Sequence, residues 1–191
     1  MRRKDTHFHA VHSFSYVDGS LRCEGIELNQ IADDFGTPAY VYSAGTIREN
    51  YRRLDQALAP LDHLVCYAVK ANSNIAVLNL LAKIGSGFDI VSGGELFRVL
   101  KAGGRADRCT FAGVGKTREE IAYALREGVY SFNVESEGEL ERINDVAGEL
   151  GLKAPVAIRV NPDVDAKTHK FISTGKSKNK FGKSNKTSTM D

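Results

Sequence analysis

Three absences narrow the field before any motif is read. Cysteine is scarce: Cys23, Cys66 and Cys109 are three in number and far apart, with no C-x-x-C pair. That pattern suits reduced thiols in a cytosolic protein. Long apolar runs are missing too. The N-terminus "MRRKDTHFHAVHSFSY" begins basic but lacks the apolar stretch of a signal peptide, and no segment approaches a membrane span. A cytoplasmic chain without membrane association is expected. Finally, no G-x-G-x-x-G follows any expected strand, which weakens a dinucleotide-binding reading.

Charge is nearly balanced at +2, but unevenly placed. Residues 162–191 carry seven lysines against Asp163, Asp165 and Asp191, a local +4 on a mildly acidic remainder. A basic loop or tail follows, and nothing recommends nucleic-acid binding. His7, His9 and His12 have only Asp5 as a nearby carboxylate, so residues 1–13 read as a flexible lead-in and no metal site is expected.

What is present is a regular alternation. "FSYVDGSLRCEGI" reads as a hairpin about Asp18-Gly19, "ELNQIADDFG" as a short helix closed by Gly36, and "TPAYVYS" as a strand. Helices are then expected over 44–59, 74–84, 93–102, 117–127 and 136–150. Strands are expected over 64–69, 87–91, 109–112, 131–135 and 156–160. The strands start every 22–25 residues or so, the spacing of repeated βα units in a parallel sheet. Ser92–Glu95, Thr117–Glu120 and Ser136–Glu139 each have the S/T-x-x-E form of a capping box where a strand should turn into a helix. This α/β order favours a (β/α) barrel, with function at the C-terminal ends of its strands.

Side chains alternate faces along a strand. In "LVCYAVKANSN" that rule sets Cys66, Ala68 and Lys70 on one face and Val65, Tyr67 and Val69 on the other. With the larger apolar residues on the helices, Lys70 is expected at the barrel mouth. The same logic turns Asp89, Asn133, Glu135, Arg159 and Asn161 inward. One such residue alone reads as an ordinary rim group; the convergence of a lysine, carboxylates, an arginine and amides reads as a site. "FAGVGKT" is a decoy for a phosphate-binding loop, since Thr110 stands where the first glycine belongs. Its Gly113, Gly115 and Thr117 read instead as a strand-to-helix turn with an N-cap.

At "YAVKAN" followed by "GFDIVSGGEL" the chain resembles the fold-type III pyridoxal-phosphate decarboxylases. "RVNPDVDAKTHKFISTGKSKNKFG" points within them to the diaminopimelate decarboxylase branch. The resemblance runs from about residue 14 to Gly182. It implies a partial (β/α)8 TIM-like barrel of about five of eight strands over 43–182, preceded at 14–42 by a segment of a β-domain and followed by a tail at 183–191. Pyridoxal 5'-phosphate is the implied cofactor. Lys70 matches the lysine that forms the Schiff base with it, a role served by a desolvated amine. Asp89 matches an acid close to the cofactor, and Arg159 and Asn161 match the fifth-strand motif beneath it. Residues 163–182 match an active-site loop, with His169, Ser173, Thr174 and Lys180 as its candidate substrate contacts.

Decarboxylation of meso-diaminopimelate to L-lysine, by a homodimer in intact relatives, is the implied reaction. Those relatives are expected to continue for about as long again. Three further strands, a ring-stacking histidine, a glycine-rich phosphate loop, the acid opposite the pyridine nitrogen and most of the β-domain belong to that continuation. Two alternatives stand beside this reading: decarboxylation of ornithine, arginine or carboxynorspermidine, and a non-catalytic partner of a full-length decarboxylase.

Overall fold

Two dipeptides set the start of the chain. Asp18-Gly19 and Glu24-Gly25 both take positive φ at each residue (50° and 82°, 51° and 87°), the backbone of the tight turns that match strand twist. They connect β1 (Phe14–Val17), β2 (Ser20–Cys23) and β3 (Ile26–Glu27) into an antiparallel sheet in sequence order. The first turn is the expected hairpin. The second was hidden, because glutamate is an uncommon occupant of that conformation. The computed structural model of the protein describes residues 13–161 and 183–184.

Helix α1 (Leu28–Phe35) ends at Gly36, with φ of 80°, as expected. Residues 37–43 differ from expectation: they form no strand, and Tyr40 and Tyr42 stand exposed. A strand exists by pairing, and the three-stranded sheet stops at β3 without adding this segment. Helix α2 (Ala44–Leu58) begins at Ser43, whose hydroxyl accepts the Thr46 N–H at 2.9 Å. The Glu24 carboxylate accepts both the Ser43 hydroxyl, at 2.5 Å, and the Gly45 N–H, at 2.6 Å. Residues up to Val65 make one compact unit, and Cys66 begins a second.

In the second unit the expected repeat becomes a parallel sheet whose strands start 21–25 residues apart. Its strands are β4 (Cys66–Ala68), β5 (Gly87–Ile90), β6 (Cys109–Phe111), β7 (Ser131–Val134) and β8 (Val156–Ile158). Between them run α3 (Ile75–Lys83), α4 (Gly93–Lys101), α5 (Arg118–Glu127) and α6 (Glu137–Leu150). Each strand pairs with its predecessor, so the spatial order is the chain order, β4-β5-β6-β7-β8. A doubly wound sheet reverses direction at a switch point; a barrel does not. The fold is thus an arc of a (β/α) barrel, five strands wide. Beyond it, β9 (Val160–Asn161) pairs in parallel with β10 (Lys183–Ser184).

The core lies on the helix-facing side. Phe88, Ile90, Cys109, Phe111 and Phe132 are fully buried, and the Phe111 and Phe132 rings stack with centroids 5.9 Å apart. Each buried phenylalanine supplies about 1.5–3 kcal/mol relative to exposure. On β8 the residues of that type are instead open: Val156 is 43%, Ile158 62% and, just after it, Val160 56% exposed.

The three S/T-x-x-E segments all cap helices, but not identically. Ser92, Thr117 and Ser136 each accept the N–H of the glutamate three residues on. Only Glu120 returns the bond to its own N-cap, closing a full capping box. Glu95 and Glu139 reach one residue further back, to the N–H of Val91 and Glu135. Glu120 also accepts the Gly93 N–H at the start of α4, at 2.8 Å, tying one βα unit to the one before.

Candidate active site

Strand alternation, applied to the observed register, produces the site. Asp89 on β5 pairs with Ala68 and Thr110, and Asn133 on β7 pairs with Ala157. Since their neighbours Phe88, Ile90, Phe111, Phe132 and Val134 take the buried side, these polar groups share the concave face. With Cys66, Ala112, Glu135 and Arg159 they surround a cavity of about 540 Å³. Small-molecule sites span roughly 300–1,000 Å³. The small residues Ala112 and Ala157 leave the centre open, and Glu135 and Arg159 stand at the C-terminal rim.

Within the cavity the Thr110 hydroxyl donates to the Asp89 carboxylate at 3.3 Å. At the rim Arg159 lies 3.4 Å from Glu135, whose side chain is only 4% exposed against 40% for the arginine. The Arg159 N–H also donates to the Val134 carbonyl, which aligns the chain leaving β8 with the end of β7. Burial, reinforced by the negative charge of Asp89, raises the Cys66 thiol above its usual range. Burial pushes Cys109 up to about 12. Neither thiol is poised as a thiolate.

Lys70 lies just beyond its strand rather than on it. β4 ends at Ala68, and a 3-10 turn, Val69–Ala71, carries Lys70 out to an exposed position, with Val69 fully buried beside it. The residues after it explain themselves: Asn72 accepts the Asn74 N–H, Asn74 caps α3 by accepting the Ala76 N–H, and the Tyr67 hydroxyl donates to the Asn72 carbonyl. The stop on "ANSN" is therefore a built turn that presents Lys70 at the same C-terminal end of the sheet as Glu135 and Arg159.

Asp89 and Arg159 both line the cavity, as alternation suggested. Asn161 ends β9 in register with Ser184. His169, Ser173, Thr174, Lys180 and the 163–182 loop lie outside the described residues, as do His7, His9 and His12. Among the described residues no cluster of three or more metal-ligating side chains is formed. Thr110 was a polar lining residue that sequence reasoning passed over, although its position between the buried Cys109 and Phe111 marks it as inward-facing.

A cofactor with an aldehyde, a flat ring and a charged group fits this donor set. An exposed amine follows the C-terminal end of β4, outside the cavity lining, a carboxylate and hydroxyl lie within the cavity, and a guanidinium sits on its rim. Comparison with known proteins agrees. Among curated relatives, diaminopimelate decarboxylase of Pseudomonas aeruginosa is 61% identical over 170 residues, 89% of this chain but 41% of its own length. The Vibrio cholerae enzyme of the same name is 57% identical over 170 residues, 88% of this chain and 41% of its own. The chain thus spans about two-fifths of the length of the curated relatives it matches. The crystal structure of diaminopimelate decarboxylase from M. jannaschii superposes with a TM-score of 0.83 at 42% identity, over 90% of this chain and 41% of that one. A structure described as SrLDC in complex with PLP and cadaverine reaches 0.63 at 27% identity, over 74% and 35%. The family described as "pyridoxal-dependent decarboxylase, pyridoxal binding domain" matches residues 44–190. With its sequential strand order, its polar concave face and an amine at the strand ends, the chain belongs to the pyridoxal-dependent decarboxylase family.

Proposed function

We propose that this chain carries the cofactor-binding barrel portion of an enzyme that decarboxylates meso-diaminopimelate to L-lysine. The observation that carries the reading is the inward-facing row Asp89, Thr110, Asn133 and Arg159 below a turn that presents Lys70. Its support on substrate is comparative. Relatives named diaminopimelate decarboxylase reach 61% identity, whereas the lysine and ornithine decarboxylase structures stand at 26–27%. Residues 43–182 form the barrel portion in this reading, with 163–182 as its loop, and 14–42 belong to a β-domain. The intact assembly is a homodimer of the cytoplasm; no described helix is long and apolar enough to cross a membrane.

When bound, pyridoxal 5'-phosphate supplies an electron sink for the electron pair released as carbon dioxide leaves. The chain's own residues bind and orient. Lys70 offers the amine that tethers the cofactor's aldehyde carbon. Asp89, fixed by Thr110, holds negative charge over the inner face of the site. Arg159, braced by Glu135, offers a guanidinium to an anionic group at the rim. Asn161 joins these residues on the cofactor side, and the loop residues His169, Ser173, Thr174 and Lys180 complete the substrate side.

Borohydride trapping tests the reading. The chain is incubated with pyridoxal phosphate, reduced, digested and mapped, with Lys70→Ala alongside. Label concentrated on Lys70 and lost in the variant is the expected result. Label spread over the lysines of 162–191, or none at all, overturns it.

A further inference from the structure

The "FAGVGKT" segment contains a lysine that the functional reading leaves unused. Lys116 is the last residue before the α5 N-cap, and its side chain folds inward with no exposed surface. Its ammonium group donates to three oxygens: the Gly113 carbonyl at 2.8 Å, the Asn133 carbonyl at 3.0 Å and Glu139 Oε1 at 2.6 Å. An ammonium has three donors, so all are used. The Phe111 ring centroid lies 5.4 Å from Nζ. Glu139, its carboxylate 5% exposed, uses its second oxygen to accept the Glu135 N–H at 2.8 Å.

These contacts converge on the rim of the cavity. Gly113 lies in the turn after β6, Asn133 is on β7, and Glu135 is the residue that braces Arg159. One buried pair therefore holds the ends of two strands and the main chain of the glutamate facing the guanidinium. A stability role alone does not call for charge here. Replacing a buried ion pair by apolar residues of similar size is often neutral or stabilising, although removing one partner is costly. What apolar residues cannot do is grip three carbonyl and carboxylate oxygens and one N–H at fixed distances.

We propose that Lys116 and Glu139 are positioning residues of the cofactor site: they set Glu135, and through it Arg159, at the geometry in which the rim receives an anionic group. This rests on the proposed function for the identity of that group, but not for the positioning itself. The test uses the 191-residue chain and the double variant Lys116→Met/Glu139→Leu, which removes both charges and keeps apolar bulk. Three quantities are read: the thermal midpoint, the Arg159 Nε–H resonance without cofactor, and the pyridoxal phosphate concentration giving half-maximal borohydride trapping on Lys70.

The expected result is a midpoint lowered by the backbone groups left without these partners, a displaced Arg159 resonance, and a half-maximal concentration raised about tenfold, as for loss of supporting contacts around other bound groups. An unmoved Arg159 resonance and unchanged trapping overturn the proposal. Parallel loss of midpoint and trapping with the resonance unmoved also overturns it, since it marks a merely structural pair. If the wild type fails to trap at Lys70, the proposed function fails, and the Arg159 resonance alone decides the positioning. Should the double variant not fold, Glu139→Gln replaces it. Its amide puts an NH2 donor where one of the two acceptor oxygens stood, facing either Lys116 or the Glu135 N–H, so a displaced Arg159 resonance is expected and an unmoved one overturns the proposal.

Discussion

Lys70 and Lys116 occupy corresponding connections, each between a strand of the arc and the helix that follows, yet they are opposites. The β4–α3 connection turns its lysine out, exposed, on a 3-10 turn stiffened by asparagines. The β6–α5 connection turns its lysine in and saturates it with oxygen acceptors. The difference separates two uses of one side chain. In the proposed reading the first amine must meet an incoming aldehyde and has to be reachable, whereas an ammonium that holds backbone in place has to be enclosed. Of the two lysines, the second is buried and the first exposed.

The largest effect that could break this contrast is on stability. Lys116→Ala leaves the Glu139 carboxylate buried without its partner, a loss of about 3–5 kcal/mol. Lys70→Ala removes an exposed side chain and should stay within about 0.5 kcal/mol of wild type. Urea denaturation of both variants reads this directly; equal losses would erase the distinction. A middle-sized effect sharpens it. Glu120 performs a similar inter-unit tie from a half-buried position, accepting the Gly93 and Thr117 N–H groups. Glu120→Ala should cost about 1–2 kcal/mol, the range of a lost cap, and so fall between the two lysines.

The smallest effect is a control in the first compact unit. The Ser43 hydroxyl, then the Gly45 N–H, hold the Glu24 carboxyl below its ordinary range. A carboxyl lowered on folding contributes stability that is fully present above its unfolded value and is lost as pH falls through the lowered folded value. Thermal midpoints of the wild type should therefore decline on the acid side of the ordinary glutamate range, and Glu24→Gln should flatten that decline. Neither lysine variant should alter it.

Much of the arc was legible because its signals are local. The expected helix at 93–102 is observed at Gly93–Lys101, and that at 136–150 at Glu137–Leu150, since serine caps and helical spacing mark both. Alternation alone placed Asp89, Asn133 and Arg159 on the cavity face. What failed depended on partners distant in sequence. Residues 37–43 have the composition of a strand but no neighbour in the described sheet. Lys116 looked like part of a turn because its three acceptors lie on Gly113, Asn133 and Glu139, two of them a whole βα unit away. Val69 in the core and Lys70 outside it reflect a strand that ends at Ala68, where the ladder to β5 ends, and composition does not announce that point.

The ladder register carries a consequence for kinetics. Paired residues lie 21 apart in the β4–β5, β5–β6 and β6–β7 ladders and 24 apart in β7–β8. Every strand thus finds its partner in the segment synthesised just before it. Short sequence separation between contacts lowers the entropy lost before pairing begins and speeds folding relative to sheets joined end to end. An arc with this register can lengthen one βα unit at a time as the polypeptide leaves the ribosome, each new strand docking on a sheet already in place.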